Sequence, residues 1–212
     1  MASLPGSPFV YPILDLSLLG GRTPEAAASA LVAGGARLVQ VRGKDASDAD
    51  LLAAVRSALR VVRAGGGALI VNDRADVALI AGADGVHVGQ DDLPPVECRR
   101  LLGARALIGW STHDLAQLGQ VARHPIDYVA FGPVFATASK RGADPVVGLE
   151  RLRDARRATT LPLVAIGGIT RARAAAVVAA GADGVAAIGD LMGDPDLARA
   201  VGEMRAAIGA LP

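Results

Sequence analysis

Gly82-Ala83-Asp84-Gly85-Val86 recurs, residue for residue, as Gly181-Ala182-Asp183-Gly184-Val185. The copies lie 99 positions apart (181 − 82), about half of the 212-residue chain. Each follows a helical pattern and leads into a short apolar run, the fourth and the eighth such run in the chain. Two halves of four units each would set the copies at equivalent points of a closed ring. Glycine between a helix and a strand is also ordinary turn chemistry, so the repeat supports a duplication without proving it.

Working outward, the apolar runs fall at 10–14, 38–41, 68–71, 85–88, 106–109, 127–131, 162–166 and 184–188. They are short, almost continuously apolar and rich in Val and Ile, as strands buried on both faces of a parallel sheet are. Longer amphipathic stretches separate them. Residues 48–64 place Leu52, Val55, Leu59 and Val62 on one face and Arg56, Arg60 and Arg63 on the other, with Ser47 and Asp50 as a start signal. Asp194-Pro195 reads as the N-cap and first residue of a last helix burying Leu197, Val201, Met204 and Ile208. Strand–helix alternation throughout implies parallel strands joined by crossovers. The fold class expected is α/β, a single (β/α)8 TIM barrel over residues 1–212, with an open doubly wound sheet as the alternative.

Composition suits that reading. Hydrophobic residues make up 51%, charged residues 20% and aromatics only 3%, so the core must be built of branched aliphatics and alanine. A net charge of +1 provides no global field for nucleic acid or an anionic membrane. The lone Cys98 excludes an internal disulfide and a multi-cysteine metal cage, and reads as structural. Met1 to Pro8 carry no basic cluster and no apolar run reaches the ~18 residues of a membrane span, so a cytoplasmic protein is expected.

In such a barrel the loops after the strands carry function. Gln40 and Arg42 alternate with Val39 and Val41 and therefore share the inner face at the mouth, followed by Lys44 and Asp45. A buried cation needs an anion, either a ligand or an Asp across the mouth. Asn72 and Asp73 end the third strand, where they would serve equally as caps for the next helix. Asp91 and Asp92 after the fourth strand, beside Asp73, would make an oxygen cluster of the kind that holds Mg2+ together with phosphate oxygens. Ser111-Thr112-His113 follows the fifth strand; His113 reads as a hydrogen-bonding residue more readily than a catalytic one, and His87 and His124 as structural. The loop after the sixth strand, from Gly132 through Thr137, Ser139, Lys140 and Arg141 to Gly142, is long enough to cover a ligand. Gly167-Gly168 after the seventh strand and Ile188-Gly189 after the eighth suit a phosphate cradle at helix N-termini. Two anion sites on one rim suggest a transferase.

The ordered set Gln40-x-Arg42-x-Lys44-Asp45, Asn72-Asp73, Val86-His-Val-Gly-Gln-Asp-Asp92, Gly109-x-Ser111-Thr-His113, Phe131-Gly-Pro-Val-Phe135, Thr137-x-Ser-Lys140 and Ala165-Ile-Gly-Gly-Ile169 resembles the thiamine phosphate synthase family across essentially the whole barrel. The resemblance implies a magnesium-dependent transferase that joins hydroxymethylpyrimidine diphosphate to a thiazole monophosphate. It implies diphosphate contacts at Arg42, Lys44, Asn72 and Lys140, metal carboxylates at Asp73 and Asp92, and Gln40 and Ser111 at the pyrimidine. Thr137, Ser139, Gly168, Ile188 and Gly189 would hold the thiazole phosphate, and Arg42, Lys44, Ser111 and Lys140 would carry the chemistry. Two positions depart from the family: Gly189-Asp190 stands where a serine and a small residue are usual, and Ala136 where proline is frequent. Both bear on the thiazole-phosphate side. Alternatives are a thiazole tautomerase on the same barrel, which resembles the synthase but carries a histidine in the loop after the sixth strand, and a non-catalytic ligand-binding paralogue. Partners would be the two small molecules alone, with no nucleic acid and no membrane.

Overall fold

A computed structural model describes residues 3–137 and 144–209. Eight strands, β1 (Phe9–Asp15), β2 (Leu38–Arg42), β3 (Ala68–Asn72), β4 (Gly85–Val88), β5 (Leu107–Thr112), β6 (Tyr128–Phe131), β7 (Leu163–Ala165) and β8 (Gly184–Ala187), pair in parallel in chain order. β8 closes back on β1, with Phe9 opposite Gly184, so the sheet is a barrel and not an open doubly wound sheet. Around it lie α1 (Pro24–Ala33), α2 (Asp48–Ala64), α3 (Ala75–Ala81), α4 (Pro95–Leu102), α5 (Leu115–Leu118), α6 (Gly148–Ala158), α7 (Arg171–Ala179), α8 (Gly189–Met192) and α9 (Leu197–Gly209). Among the described residues no helix is long and apolar enough to cross a membrane.

The period of two along each strand divides the core. Phe9, Tyr11, Leu38, Ile70, Tyr128 and Val164 fill the barrel interior, whereas Val39, Val41, Val71, Val86 and Val129 face outward under the helices. Burying a Val or Leu fully stabilises the fold by about 1.5–3 kcal/mol; the outer layer is mostly aliphatic, whereas the interior gathers Phe9, Tyr11 and Tyr128 among alanines and branched aliphatics.

The repeated pentapeptide has a mechanical role. Asp84 accepts a hydrogen bond from the Leu69 backbone N–H (2.9 Å) and pairs with Arg63 of α2 (2.7 Å). Asp183 does the same with the Leu163 N–H (2.8 Å) and Arg156 of α6 (2.6 Å). Asp127 repeats the device with the Ile108 N–H and Arg99, both at 2.7 Å, though its sequence context differs. Each carboxylate thus ties the start of its own strand to the preceding strand and helix, below the barrel, on the face opposite the candidate functional residues. Charge-assisted hydrogen bonds of this sort contribute about 1.5–3 kcal/mol each.

Three sequence expectations need correction. β5 runs on through Ser111 and Thr112, because Trp110 stays in register opposite Val129; Ser111 is therefore an inward-facing strand residue, not a loop residue. α9 begins at Leu197 and not at Pro195; Asp194 accepts from the Asp196 N–H and from Arg171 and Arg199 instead of capping the helix at Pro195. The expected buried residues Leu197, Val201, Met204 and Ile208 are all buried. In α2 the buried face runs through Leu51, Val55, Leu59 and Val62, so Leu51 takes the place expected of Leu52, which is only half-buried. Ser47 does cap α2, accepting from the Asp50 N–H (3.1 Å).

Candidate active site

The inward-facing alternation delivers the polar residues of the barrel mouth. Above the apolar residues Leu38, Ile70 and Leu107 the same faces carry Gln40 and Arg42, Asn72, and Ser111. Gln40, Arg42, Lys44, Asn72, Asp73, Asp92, Ser111, Thr137, Gly168, Ile188 and Gly189 line one cavity of about 720 Å³. Ser139 and Lys140 lie outside the described residues.

The floor is a buried polar network. The Gln40 amide nitrogen donates to the Tyr11 hydroxyl (2.9 Å), which lies 2.9 Å from the Tyr128 hydroxyl. Tyr128 lies 3.0 Å from His87 Nδ1, and His87 Nε2 lies 2.8 Å from Ser111 Oγ. Tyr128 and His87 stack with centroids 5.5 Å apart, over Gly109; a Cβ there would collide with both rings. Burial pushes the His87 imidazole down to about 4, with Asp92 opposing weakly, so it is neutral at physiological pH. Burial likewise raises both tyrosines well above their usual range.

On one wall stand charges. Arg42 pairs with the buried Asp15, directly opposite it in the β1–β2 register. The intramolecular pair open to Arg42 on sequence grounds is thus formed, and its guanidinium still lines the cavity. Asp15 also accepts from the Ser17 N–H (3.0 Å) and hydroxyl (2.6 Å). Lys44 Nζ lies 3.4 Å from Asp73. Burial raises the Asp73 carboxyl above its ordinary range, and the neighbouring Asp92 raises it further, against the opposing pull of Lys44. Asp73 is also the one described non-glycine residue with a positive φ, 61°, a conformation that Asp and Asn tolerate better than most residues. Neither Asn72 nor Asp73 caps α3, whose N-cap is Arg74 without a side-chain bond. Asp92 turns its Oδ2 onto the Gly89 N–H (2.7 Å) and Asp91 is exposed, so the acidic set is a pair and not the cluster of three expected. Among the described residues no group of three or more His, Cys, Asp or Glu could hold a metal. Two crowded carboxylates nevertheless fit magnesium, which is often held by one or two carboxylates plus substrate phosphates.

The opposite wall is built of glycine. Gly167 and Gly168 have φ of 87° and 63°, and a Cβ on Gly168 would run into the Ala136 carbonyl and Phe135. α7 and α8 start beside them, at Arg171 and Gly189. Asp190 does not direct an unpaired charge at the cavity: its Oδ2 accepts from the Arg171 backbone N–H (3.1 Å) and from Arg171 Nε (3.0 Å). Arg173 lies over the Phe135 ring, 4.6 Å from its centroid, and donates to the Gly168 carbonyl (2.8 Å).

The family model for thiamine monophosphate synthase matches residues 10–191, nearly the full barrel. This chain belongs to that family. It is 47% identical over 199 residues to the thiamine-phosphate synthase of Koribacter versatilis (strain Ellin345), covering 92% of this chain and 94% of that one. It is 45% identical over 201 residues to the thiamine-phosphate synthase of Methanoculleus marisnigri, covering 95% of each. Thiamine phosphate pyrophosphorylase from Pyrococcus furiosus superposes with a TM-score of 0.85 at 30% identity, over 95% of both chains.

As a member of the thiamine monophosphate synthase family the protein is a transferase, and neither the tautomerase nor the non-catalytic reading has support among these relatives. Within the family site, sequence reading missed Asp15, Tyr11 and Tyr128, all buried, and Arg171 and Arg173 at the start of α7. Strand alternation could have found Tyr11, two residues before Ile13 on the same face, and Asp15 beyond it. His113 is a hydrogen-bonding residue, with Nδ1 on the Gly132 carbonyl (2.7 Å) and Nε2 3.5 Å from Asp144. Cys98 is buried and packs structurally, and His124 packs on Trp110 at 4.5 Å.

Proposed function

We propose that the protein joins hydroxymethylpyrimidine diphosphate to thiazole monophosphate, in the presence of magnesium, releasing diphosphate and thiamine phosphate. The observation that carries this reading is the division of one cavity into a charged wall, with Arg42, Lys44, Asp73 and Asp92, and a glycine-lined wall at Gly168 and Gly189, above a shared polar floor.

Asp73 and Asp92 would hold the magnesium ion, which when bound neutralises charge on the leaving diphosphate. Arg42, Lys44 and Asn72, with Lys140 from the loop after β6, would bind diphosphate oxygens. The carbon–oxygen bond to the pyrimidine methylene breaks and its electron pair departs with diphosphate. The thiazole nitrogen then gives its lone pair to that carbon, and the positive charge passes to the thiazolium ring. No proton moves in this step, so the site needs preorganised charge and not an acid–base pair. Gln40 and Ser111 would orient the pyrimidine ring from the floor. Gly168, Ile188 and Gly189 would hold the thiazole phosphate, with Thr137 and Ser139 as further thiazole-site residues. Arg171 masks Asp190, which removes the electrostatic objection to a phosphate on that wall.

The test is incubation with both phosphorylated substrates, with and without magnesium, and detection of thiamine phosphate as its fluorescent oxidation product. Magnesium-dependent product supports the reading; no product, with the pyrimidine diphosphate still bound, would place the failure at the thiazole wall and overturn it.

A further inference from the structure

We propose that Tyr11, Tyr128 and His87 are positioning residues that form a one-way chain of hydrogen-bond donation, so that Gln40 presents its carbonyl oxygen, and Ser111 its hydroxyl proton, to the ring bound above them. The inference rests on the pyrimidine-binding reading of the site and extends it to the polarity of recognition.

Every link is a short contact, between buried groups as far as His87 and then to the half-buried Ser111, and each group has a limited supply of protons. The Gln40 amide nitrogen donates to the Tyr11 oxygen at 2.9 Å. Among the described residues the Tyr11 proton then has one partner in reach, the Tyr128 oxygen at 2.9 Å. With its oxygen occupied as an acceptor, Tyr128 donates to His87 Nδ1 at 3.0 Å. A neutral imidazole carries a single N–H, which the Tyr128 bond assigns to Nε2, 2.8 Å from Ser111 Oγ. Ser111 accepts there, and its own proton is left for the cavity, which both Ser111 and Gln40 line. Were Tyr128 to donate to Tyr11 instead, the buried Tyr11 proton would have no acceptor while the Gln40 nitrogen faces it, a desolvation cost that buried hydroxyls avoid.

The two ends are therefore coupled. Rotating the Gln40 amide by half a turn would reverse every donor at once: Gln40 would present N–H groups and Ser111 would spend its proton on His87. In the orientation observed, the floor accepts from a donor on the Gln40 side and donates to an acceptor on the Ser111 side. That selects a flat nitrogen heterocycle bearing an exocyclic N–H donor at one edge and a lone pair at the other. A ring with that pattern inverted meets two mismatches together.

The experiment is 15N imidazole NMR on the full-length protein labelled at histidine, with the His87 signals identified by their loss in His87→Gln. We expect protonated Nε2 and bare Nδ1 in the wild type. Tyr128→Phe, which keeps the ring but removes the link, should abolish that tautomer preference and raise the KM for the pyrimidine diphosphate about fivefold to tenfold, with the KM for the thiazole phosphate unchanged. Protonated Nδ1 in the wild type would overturn the proposal even if Tyr128→Phe misfolds, as would a Tyr128→Phe protein that keeps both tautomer and KM. The expected tautomer in a protein that forms no thiamine phosphate would sustain the relay while rejecting the proposed function, so the two failures are distinguishable.

Discussion

Arg171 donates twice to one oxygen of the Asp190 carboxylate, from its backbone N–H at 3.1 Å and from Nε at 3.0 Å. The same guanidinium reaches Asp194 (3.0 Å) and Glu203 (2.6 Å), so Asp190, which lines the cavity, is tied into an ion network that leads away from it. The charge that Asp190 brings to the cavity rim is therefore partly silenced by its pairing with Arg171.

Arg171→Ala should remove that silence. With Asp190 unmasked beside the glycine wall, the KM for the thiazole phosphate should rise about tenfold, the size of one charge-assisted hydrogen bond. The double variant Arg171→Ala with Asp190→Ala should recover most of the loss. Steady-state kinetics with the thiazole substrate varied will show it; an uncorrected double variant would mean that Arg171 itself touches the phosphate.

Asp73→Asn should separate charge from conformation. Asparagine tolerates the left-handed backbone at this position, so thermal stability should hold, while turnover should fall by about two orders of magnitude, as loss of one preorganised electrostatic contact does. Unchanged turnover at saturating magnesium would remove Asp73 from the metal site.

Magnesium affinity should weaken as pH falls. Burial and Asp92 raise the Asp73 carboxyl, so it takes up a proton sooner on acidification than an ordinary aspartate, and a cation must displace that proton to bind. Magnesium titrations followed by calorimetry, stepped down from about pH 7 into the carboxylate range, should show binding weaken as Asp73 takes up its proton; an affinity that does not change down to the ordinary aspartate range of about 4 would contradict it.

His87 should make the fold acid-sensitive. Its folded value of about 4 lies below the ordinary histidine value of 6.5, so the unfolded chain binds the proton first. Its contribution is complete above about pH 6.5 and is lost as pH falls through about 4, a change of about 3 kcal/mol. Tm measured across that window should fall less steeply in His87→Gln than in the wild type.

Gly109→Ala should damage the floor without touching a charged residue. The new methyl would meet the Tyr128 ring and His87 Nδ1, and overpacking of this kind costs about 1–3 kcal/mol. Denaturant melts will report the loss of stability, and the KM for the pyrimidine diphosphate should rise with it.

What the sequence made legible was whatever depends on period and order. Strand alternation and the succession of apolar runs are local properties, and they led to the barrel and to Gln40 and Arg42 on its inner face, with Asn72 and Ser111 placed only in order around the same rim. What stayed hidden depends on partners far along the chain. The Arg42 pairing with Asp15 spans 27 residues, and Asp190 reaches back 19 residues to Arg171. The end of β5 was obscured because Gly109 and Trp110 interrupt the aliphatic run although the backbone pairing continues. Asn72 and Asp73 looked like caps because residues that cap a helix and residues that bind a ligand share the same chemistry; the structure shows only that the chain makes a left-handed turn at Asp73 and that α3 starts behind Arg74 with no side-chain cap.

The aspartate ties at Asp84, Asp127 and Asp183 have a consequence for how such a protein changes over time. They secure alternate seams of the barrel from the face away from the cavity, using backbone N–H groups that any residue at positions 69, 108 and 163 other than proline would supply. Selection for a closed barrel and selection for a ligand thus act on separate residues. The rim at Ala136, Gly189 and Asp190 can drift while the scaffold is held by contacts on the face away from the cavity.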